Sequence, residues 1–285
     1  MDDRRVLAAF DDSPASHAAI QWAAVYAERS NRSLLIALPD DILDPAEIAA
    51  GAVDESSTLV DGIVAQLRSE HPDLPIETVV ADEPPVQMIE RLGDRCALVV
   101  VGAAASSRYA EAVFGSAAAH IAADAHRPVV LIPPETIVWP PVHRLQQVVV
   151  GASDSANGAA AVRFAVHYAA EVGATVAIVR GSRVACGAGA DHAQLAQDAQ
   201  QRLLDDLAAI GRSCNSHAEV TTQLVLGSSE QALRTAADGA DLLVVGRHSS
   251  SRHLAGWTSL AARVAGRPPC PVAIVGDPTL RMHAG

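Results

Sequence analysis

VVVGAAASSRYAEAVFGSAAAHIA, residues 99–122, returns as LVVGRHSSSRHLAGWTSLAARVA, residues 243–265. Gly102 falls on Gly246, Ser107 on Ser251 and Arg108 on Arg252, all at an offset of 144. After one deleted position, Ser116 falls on Ser259 and Pro128 on Pro271. Each copy is an apolar run ending in glycine, then a polar loop, then a stretch rich in small residues. That order reads as buried strand, loop and helix. Working outward, Trp22, Ala23, Tyr26 and Ala27 repeat as Phe164, Ala165, Tyr168 and Ala169 at an offset of 142. The chain is therefore a duplicated domain whose packing positions are kept and whose loops have changed.

The 285 residues suit two domains of about 140 residues each. The repeat places them at 1–138 and 139–285, joined by the four-proline segment PPETIVWPPVHRLQ, residues 133–146, which reads as a stiff, extended connector. Both copies open with an apolar run ending in small and acidic residues, RRVLAAFDDS (4–13) and QQVVVGASDS (146–155). Ser13 as N-cap and Pro14 at the first helical position predict a helix over about 14–29, its apolar face spaced three and four apart. Strands are expected near 33–38, 76–81, 175–179 and 219–226, with helices near 57–70, 85–95, 191–211 and 229–238. Residues 39–57 are the least constrained stretch. Alternating apolar runs and helical segments predict an α/β fold with parallel sheets covered on both faces.

Composition narrows the function. Apolar residues make up 49% of the chain and aromatic ones 3%, so the core is built from Ala, Val, Leu and Ile. The formal charge of −12 repels nucleic-acid backbones and anionic membranes, so neither is an expected partner. The chain has no lysine, which removes Schiff-base chemistry and the lysine of a GxxxxGK phosphate loop. Abundant Ala and Arg suggest a GC-rich bacterial genome. Cys96, Cys186, Cys214 and Cys270 form no CxxC pair and read as small buried hydrophobes of a reduced, cytoplasmic protein. No secretory leader or membrane-length apolar run is visible. His120, His126, His143, His248 and His253 make no metal-ligand pattern.

In an open parallel sheet, ligands bind beyond the carboxyl ends of the strands, where the strand order reverses. Asp11 and Asp12, the end of the next strand near Leu38, and the loop after Gly102 should converge there. The helix entered at Gly115–Ser116 offers free backbone N–H groups to an anion.

These residues resemble the universal stress proteins, in particular their tandem actinobacterial form, over nearly the entire chain. ATP-binding members carry G-x-x-G, nine residues, then G and S or T. Here Gly102-Ala-Ala-Ala105 is followed by nine residues and Gly115–Ser116, with Ala105 in place of the second glycine. If that position has positive φ, its Cβ costs roughly 1 kcal/mol; if φ is negative, alanine is harmless. The resemblance implies two tandem open parallel-sheet domains of the nucleotide-binding α-hydrolase-like type, packed as a pseudo-dimer. It implies that Asp11 takes hydrogen bonds from the nucleoside and that the Leu38 backbone faces adenine. Gly102 would open the loop of the cofactor site, and the backbone N–H groups of Ala105, Gly115 and Ser116, with the Ser116 hydroxyl as an added donor, would hold the phosphates of ATP, with or without magnesium. Asp12 stands where the family usually has glycine. The second copy departs further, with Ser153 for the aspartate, Ser249 for the loop glycine and Thr258–Ser259 for Gly–Ser, so ATP is expected in the first domain only.

The expected function is regulatory, with ATP altering a surface read by an unknown protein partner, and a homodimer remains open. No general base, lysine or metal-ligand set stands ready for hydrolysis, so the chain reads as a non-enzyme. Beside this stand a nucleotide-free stress-response scaffold acting through protein contacts, favoured by Ala105 and Ser153, and a slow ATPase on a related fold.

Overall fold

The computed structural model describes residues 5–39, 53–103, 127–133, 147–182, 190–214, 217–247, 260–265 and 268–277. The chain divides into two compact units, Met1–Trp139 and Pro140–Gly285. The first holds β1 (Arg5–Ala9), α1 (Pro14–Arg29), β2 (Ser33–Pro39), α2 (Val53–Glu70), β3 (Ile76–Ala81), α3 (Pro85–Gly93), β4 (Leu98–Gly102) and β5 (Val129–Ile132). The second holds β6 (Gln147–Gly151), α4 (Ala156–Val172), β7 (Thr175–Ser182), α5 (Ala190–Arg212), β8 (Val220–Leu226), α6 (Ser229–Ala236), β9 (Leu242–Gly246), α7 (Leu260–Ala265) and β10 (Val272–Val275).

Within the first unit the strand order is β3-β2-β1-β4-β5, and within the second β8-β7-β6-β9-β10, every pair parallel. The central strands are buried on both faces. Val6, Leu7 and Ala8 of β1, and Val148, Val149 and Val150 of β6, are all fully buried, which is why both read as unbroken apolar runs rather than alternating ones. The registers repeat as well, Arg5 opposite Ser33 and Gln147 opposite Thr175. A frame of small aliphatic residues was therefore copied intact.

The first helix of each unit covers the middle of its sheet. Trp22, fully buried, stacks on Tyr26 with ring centroids 5.5 Å apart, and Phe164 and Tyr168 repeat the pair at 6.3 Å. Four-residue spacing places each pair on one helix face, and these rings supply bulk that Ala-rich helices lack. α1 ends where Ser30 donates its hydroxyl to the Tyr26 carbonyl at 2.7 Å. α4 ends at Gly173, whose φ of 75° closes the helix in the left-handed conformation.

One difference between the units is a buried charge. Ala97 of the first unit is replaced by Asp241, 3% exposed, whose Oδ2 accepts the Gln147 N–H at 2.6 Å. Truncating it strands that donor at the start of β6. Asp241→Ala is therefore expected to lower stability by about 1–3 kcal/mol, read as a fall in the urea midpoint, while Asp61→Ala on the exposed face of α2 leaves it within about 0.5 kcal/mol.

Candidate functional site

At the end of β1 the Phe10 N–H donates to the Ala37 carbonyl at 2.8 Å, and the chain then turns into α1. The turn is built on Asp11. Its Oδ1 accepts the Ser13 N–H at 3.1 Å and the Ser13 hydroxyl at 2.5 Å, while Ser13 Oγ accepts the Ser16 N–H at 3.1 Å as the α1 N-cap. The Ser16 hydroxyl donates to the Ser13 carbonyl at 2.9 Å. Ser13 and Ser16 are buried and Asp11 half-buried, so the carboxylate is fixed through one oxygen. Its other oxygen has no hydrogen bond among the described residues.

Asp12 takes φ 59°, in the left-handed region that favours glycine. Aspartate tolerates it better than most residues because its short side chain bonds locally; here Oδ1 meets His17 Nε2 at 3.0 Å, with the His17 ring edge-on to Phe10 at 5.1 Å. The Asp12–His17 pair is exposed and contributes little. Relief of about 1–2 kcal/mol of backbone strain exceeds the added freedom of an unfolded glycine, about 0.4–1 kcal/mol. Asp12→Gly is thus expected to stabilise the chain by about 0.5–1 kcal/mol, measured as a rise in the urea midpoint.

β1 lies between β2 and β4; the chain moves outward one way from β1 to β3 and the other way from β4 to β5, so the order reverses beside β1. Ala9 pairs with Ala37 and Ala8 with Val100, which brings the ends carrying Asp11, Leu38 and Gly102 side by side. Leu38 is buried, 4% exposed. Gly102 has a packing duty that the sequence did not reveal. A Cβ there would lie 2.5 Å from the Ala15 carbonyl carbon and 2.6 Å from the Ser16 nitrogen, so glycine lets β4 close against the first turn of α1. Gly246 does the same against Asn157, with 2.8 Å to its carbonyl oxygen. The repeated glycine is thus a requirement of strand–helix approach in both units. Ala105, Gly115 and Ser116 lie outside the described residues, as do Arg108, Ser249 and Thr258–Ser259.

The second unit keeps the frame and changes the turn. Ala152 N–H donates to the Val179 carbonyl at 2.8 Å, matching Phe10 and Ala37. Ser153 then replaces Asp11, its Oγ 3.1 Å from Ser155 Oγ, and the cap Ser155 has φ −159° where Ser13 has −77°. Asp154 lacks the positive φ of Asp12. The Ser153 carbonyl packs against Gly158 so closely that a Cβ would collide with it, whereas the matching Ser16 carries one. Asn157, 4% exposed, bridges two strand ends, donating to the Arg247 carbonyl at 2.6 Å and accepting the Asp277 N–H at 2.7 Å. Arg180 occupies the position of Leu38. Arg180 and Asn157 were not singled out from the sequence; aligning the copies at offset 142 would have found both.

Elsewhere in the second unit an opening of about 540 Å³ lies among Gly181, Gln200, Ser228, Glu230 and Arg263. Glu230 is clamped by Arg263 at 2.8 Å and Arg234 at 3.2 Å, and those two bonds hold its carboxyl below the usual range. Cys96 and Cys270 are buried and Cys214 is half-buried, none of them in a disulfide, and Cys186 lies outside the described residues. Burial pushes the Cys270 thiol up to about 12, so it stays protonated at neutral pH. Among the described residues no three His, Cys, Asp or Glu side chains gather as metal ligands, and no helix is long and apolar enough to cross a membrane. The five histidines weighed as ligands lie outside the described residues.

A family model described as the universal stress protein family matches residues 3–133 and again 144–276. No curated protein matches the chain. Among solved structures, a universal stress protein from Archaeoglobus fulgidus DSM 4304 is similar at a TM-score of 0.70 and 17% identity, over 97% of this chain and 100% of that one. That likeness is one of fold. A universal stress protein in complex with cAMP is 26% identical over 47% of this chain and 99% of its own, at a TM-score of 0.39. One from Archaeoglobus fulgidus in complex with dAMP is 21% identical over 46% and 97%, at 0.35.

Proposed function

We propose that this chain, which belongs to the universal stress protein family, holds ATP in its first unit and works as a cytoplasmic stress-response regulator rather than as a catalyst. The observation that carries the reading is Asp11: its carboxylate is fixed by Ser13 through Oδ1 and keeps a second oxygen for a ligand, at the point where the strand order reverses. A nucleoside laid over Asp11 and Leu38 gives ribose or base donors to that oxygen. The phosphates then extend past Gly102 toward the backbone of Ala105, Gly115 and Ser116, with or without magnesium. With no lysine in the chain, charge at a transferring phosphoryl group would be left to arginine and backbone donors, so hydrolysis is slow. The second unit, with Ser153 for the aspartate and a different turn, is the weaker site. ATP acts by binding one of two conformations more tightly, which changes a surface that an as yet unidentified protein recognises.

One observation favours the nucleotide-free scaffold. Ser13 already satisfies Asp11 Oδ1 twice, the pattern of an aspartate that only shapes a helix entry. Native mass spectrometry of the stripped chain with ATP separates the readings: one adduct per chain, absent from Asp11→Ala, supports nucleotide binding. A folded chain with no adduct supports the scaffold. Phosphate release above a heat-killed control that Asp11→Ala abolishes would replace both with an ATPase.

A further inference from the structure

The two units superpose in register up to Ala37 and Val179, whose carbonyls each accept the N–H from the end of the neighbouring strand at 2.8 Å. One residue further on they part. The first unit has Leu38, buried at 4% exposure; the second has Arg180. Its side chain turns back across the end of β6, where Nη1 donates to the Ala152 carbonyl at 3.2 Å and Nε is closed off from water with no hydrogen-bond partner among the described residues. Ala152 corresponds to Phe10, the residue directly before Asp11. The guanidinium therefore lies over the end of the strand pair on which, in the first unit, a nucleoside would rest.

A long cationic side chain at a strand end ordinarily extends into water, where all its donors are solvated. Leaving Nε desolvated and unpaired is unfavourable, so Arg180 is held in place by its packing and by the Ala152 carbonyl. The group it displaces is chemically specific. A purine nucleoside needs open space over the strand ends and an acceptor for its ribose hydroxyls; the second unit fills that space with the guanidinium, itself only a donor, and has the uncharged Ser153 where the first has Asp11.

We infer that Arg180 fills the nucleoside position of the second unit and is the specificity-determining residue that keeps purine nucleosides out of it. The inference rests on the reading that a nucleoside lies over Asp11 and Leu38 in the first unit. Arg180→Leu installs the first unit's own residue, and Ser153→Asp supplies the missing carboxylate.

Equilibrium dialysis of the full chain against labelled adenosine tests this, adenosine being chosen so that phosphate contacts do not contribute. In an Asp11→Ala background, which empties the first unit, the pair Arg180→Leu and Ser153→Asp is expected to bind one adenosine per chain. Ser153→Asp with Arg180 retained is expected to bind none. The reciprocal Leu38→Arg in the otherwise unchanged chain is expected to lose the first-unit site. The inference is overturned if the folded pair gains no adenosine, or if Ser153→Asp alone gains as much as the pair. Should the pair fail to fold, by circular dichroism, Arg180→Ala combined with Ser153→Asp decides in its place: adenosine bound supports the inference and none overturns it. An unsubstituted chain that binds no adenosine counts against the reading of the first unit, while the gain in the pair still decides the role of Arg180.

Discussion

Gly102→Ala is expected to destabilise the chain by about 1–3 kcal/mol, among the largest effects available to one methyl group here. The added Cβ meets the backbone of Ala15 and Ser16 at 2.5–2.7 Å. Backbone cannot rotate away as a side chain can, so either β4 or the first turn of α1 must shift. That turn is pinned by the Ser13 and Ser16 hydrogen bonds, and the strain spreads into the Asp11 turn. Gly246→Ala, with contacts of 2.8–3.1 Å to Asn157 and Gly158, is expected to fall toward the lower end of the same range. Gly62→Ala is the control. That exposed residue of α2 has nothing within 4 Å of its would-be Cβ, so alanine should stabilise by about 0.5–1 kcal/mol through helix propensity. Urea midpoints of the three variants measure the order directly. Gly102→Ala as stable as the unsubstituted chain would mean that the strand–helix approach is not tight and that the glycine is kept for its ligand alone.

Asp11→Ala is expected to weaken ATP binding about 10- to 150-fold, which corresponds to losing one charged hydrogen bond of about 1.5–3 kcal/mol. It also removes the acceptor of two Ser13 donors, so the turn loosens and some stability is lost with it. Asp11→Asn separates the two effects. The amide oxygen still accepts from Ser13 N–H and Oγ, keeping the turn, but the group facing the ligand loses its charge. The account expects Asn to restore stability while leaving most of the affinity loss in place. Were Asn to restore both, the carboxylate would be a helix-entry device and the scaffold reading would stand.

How much of this was legible in the sequence differs from element to element. α1 begins and ends where Ser13, Pro14 and the spacing of Trp22 and Tyr26 place it, because cap and periodicity agree. The central strands fall on their apolar runs because burial on both faces leaves no alternation to misread; β7 continues three residues past its expected end at 179, to Ser182, and β3 and β8 are partly exposed. α2 starts at Val53, four residues before the expected 57; Ala52 before it is not a capping residue, so no N-cap signal marks its start. The motif places Gly102 in the cofactor site, and a tight turn after the strand is the plain alternative; the requirement set by the Ala15 backbone is a distance across the fold and leaves no local pattern. The left-handed Asp12 was legible only as an aspartate in a glycine slot. Arg180 escaped because it follows the apolar run of β7 and belongs to no local motif; its meaning comes from standing where the other copy has Leu38.

The proposed nucleotide occupies one unit of two. Calorimetric titration of the stripped, folded chain with ATP and magnesium tests it most directly, with mass spectrometry showing that no ligand remains beforehand. One site per chain is expected, weakened about 10- to 150-fold in Asp11→Ala. Two equivalent sites would contradict the inequality of the units, and no heat at all, in a folded sample, would contradict nucleotide binding itself.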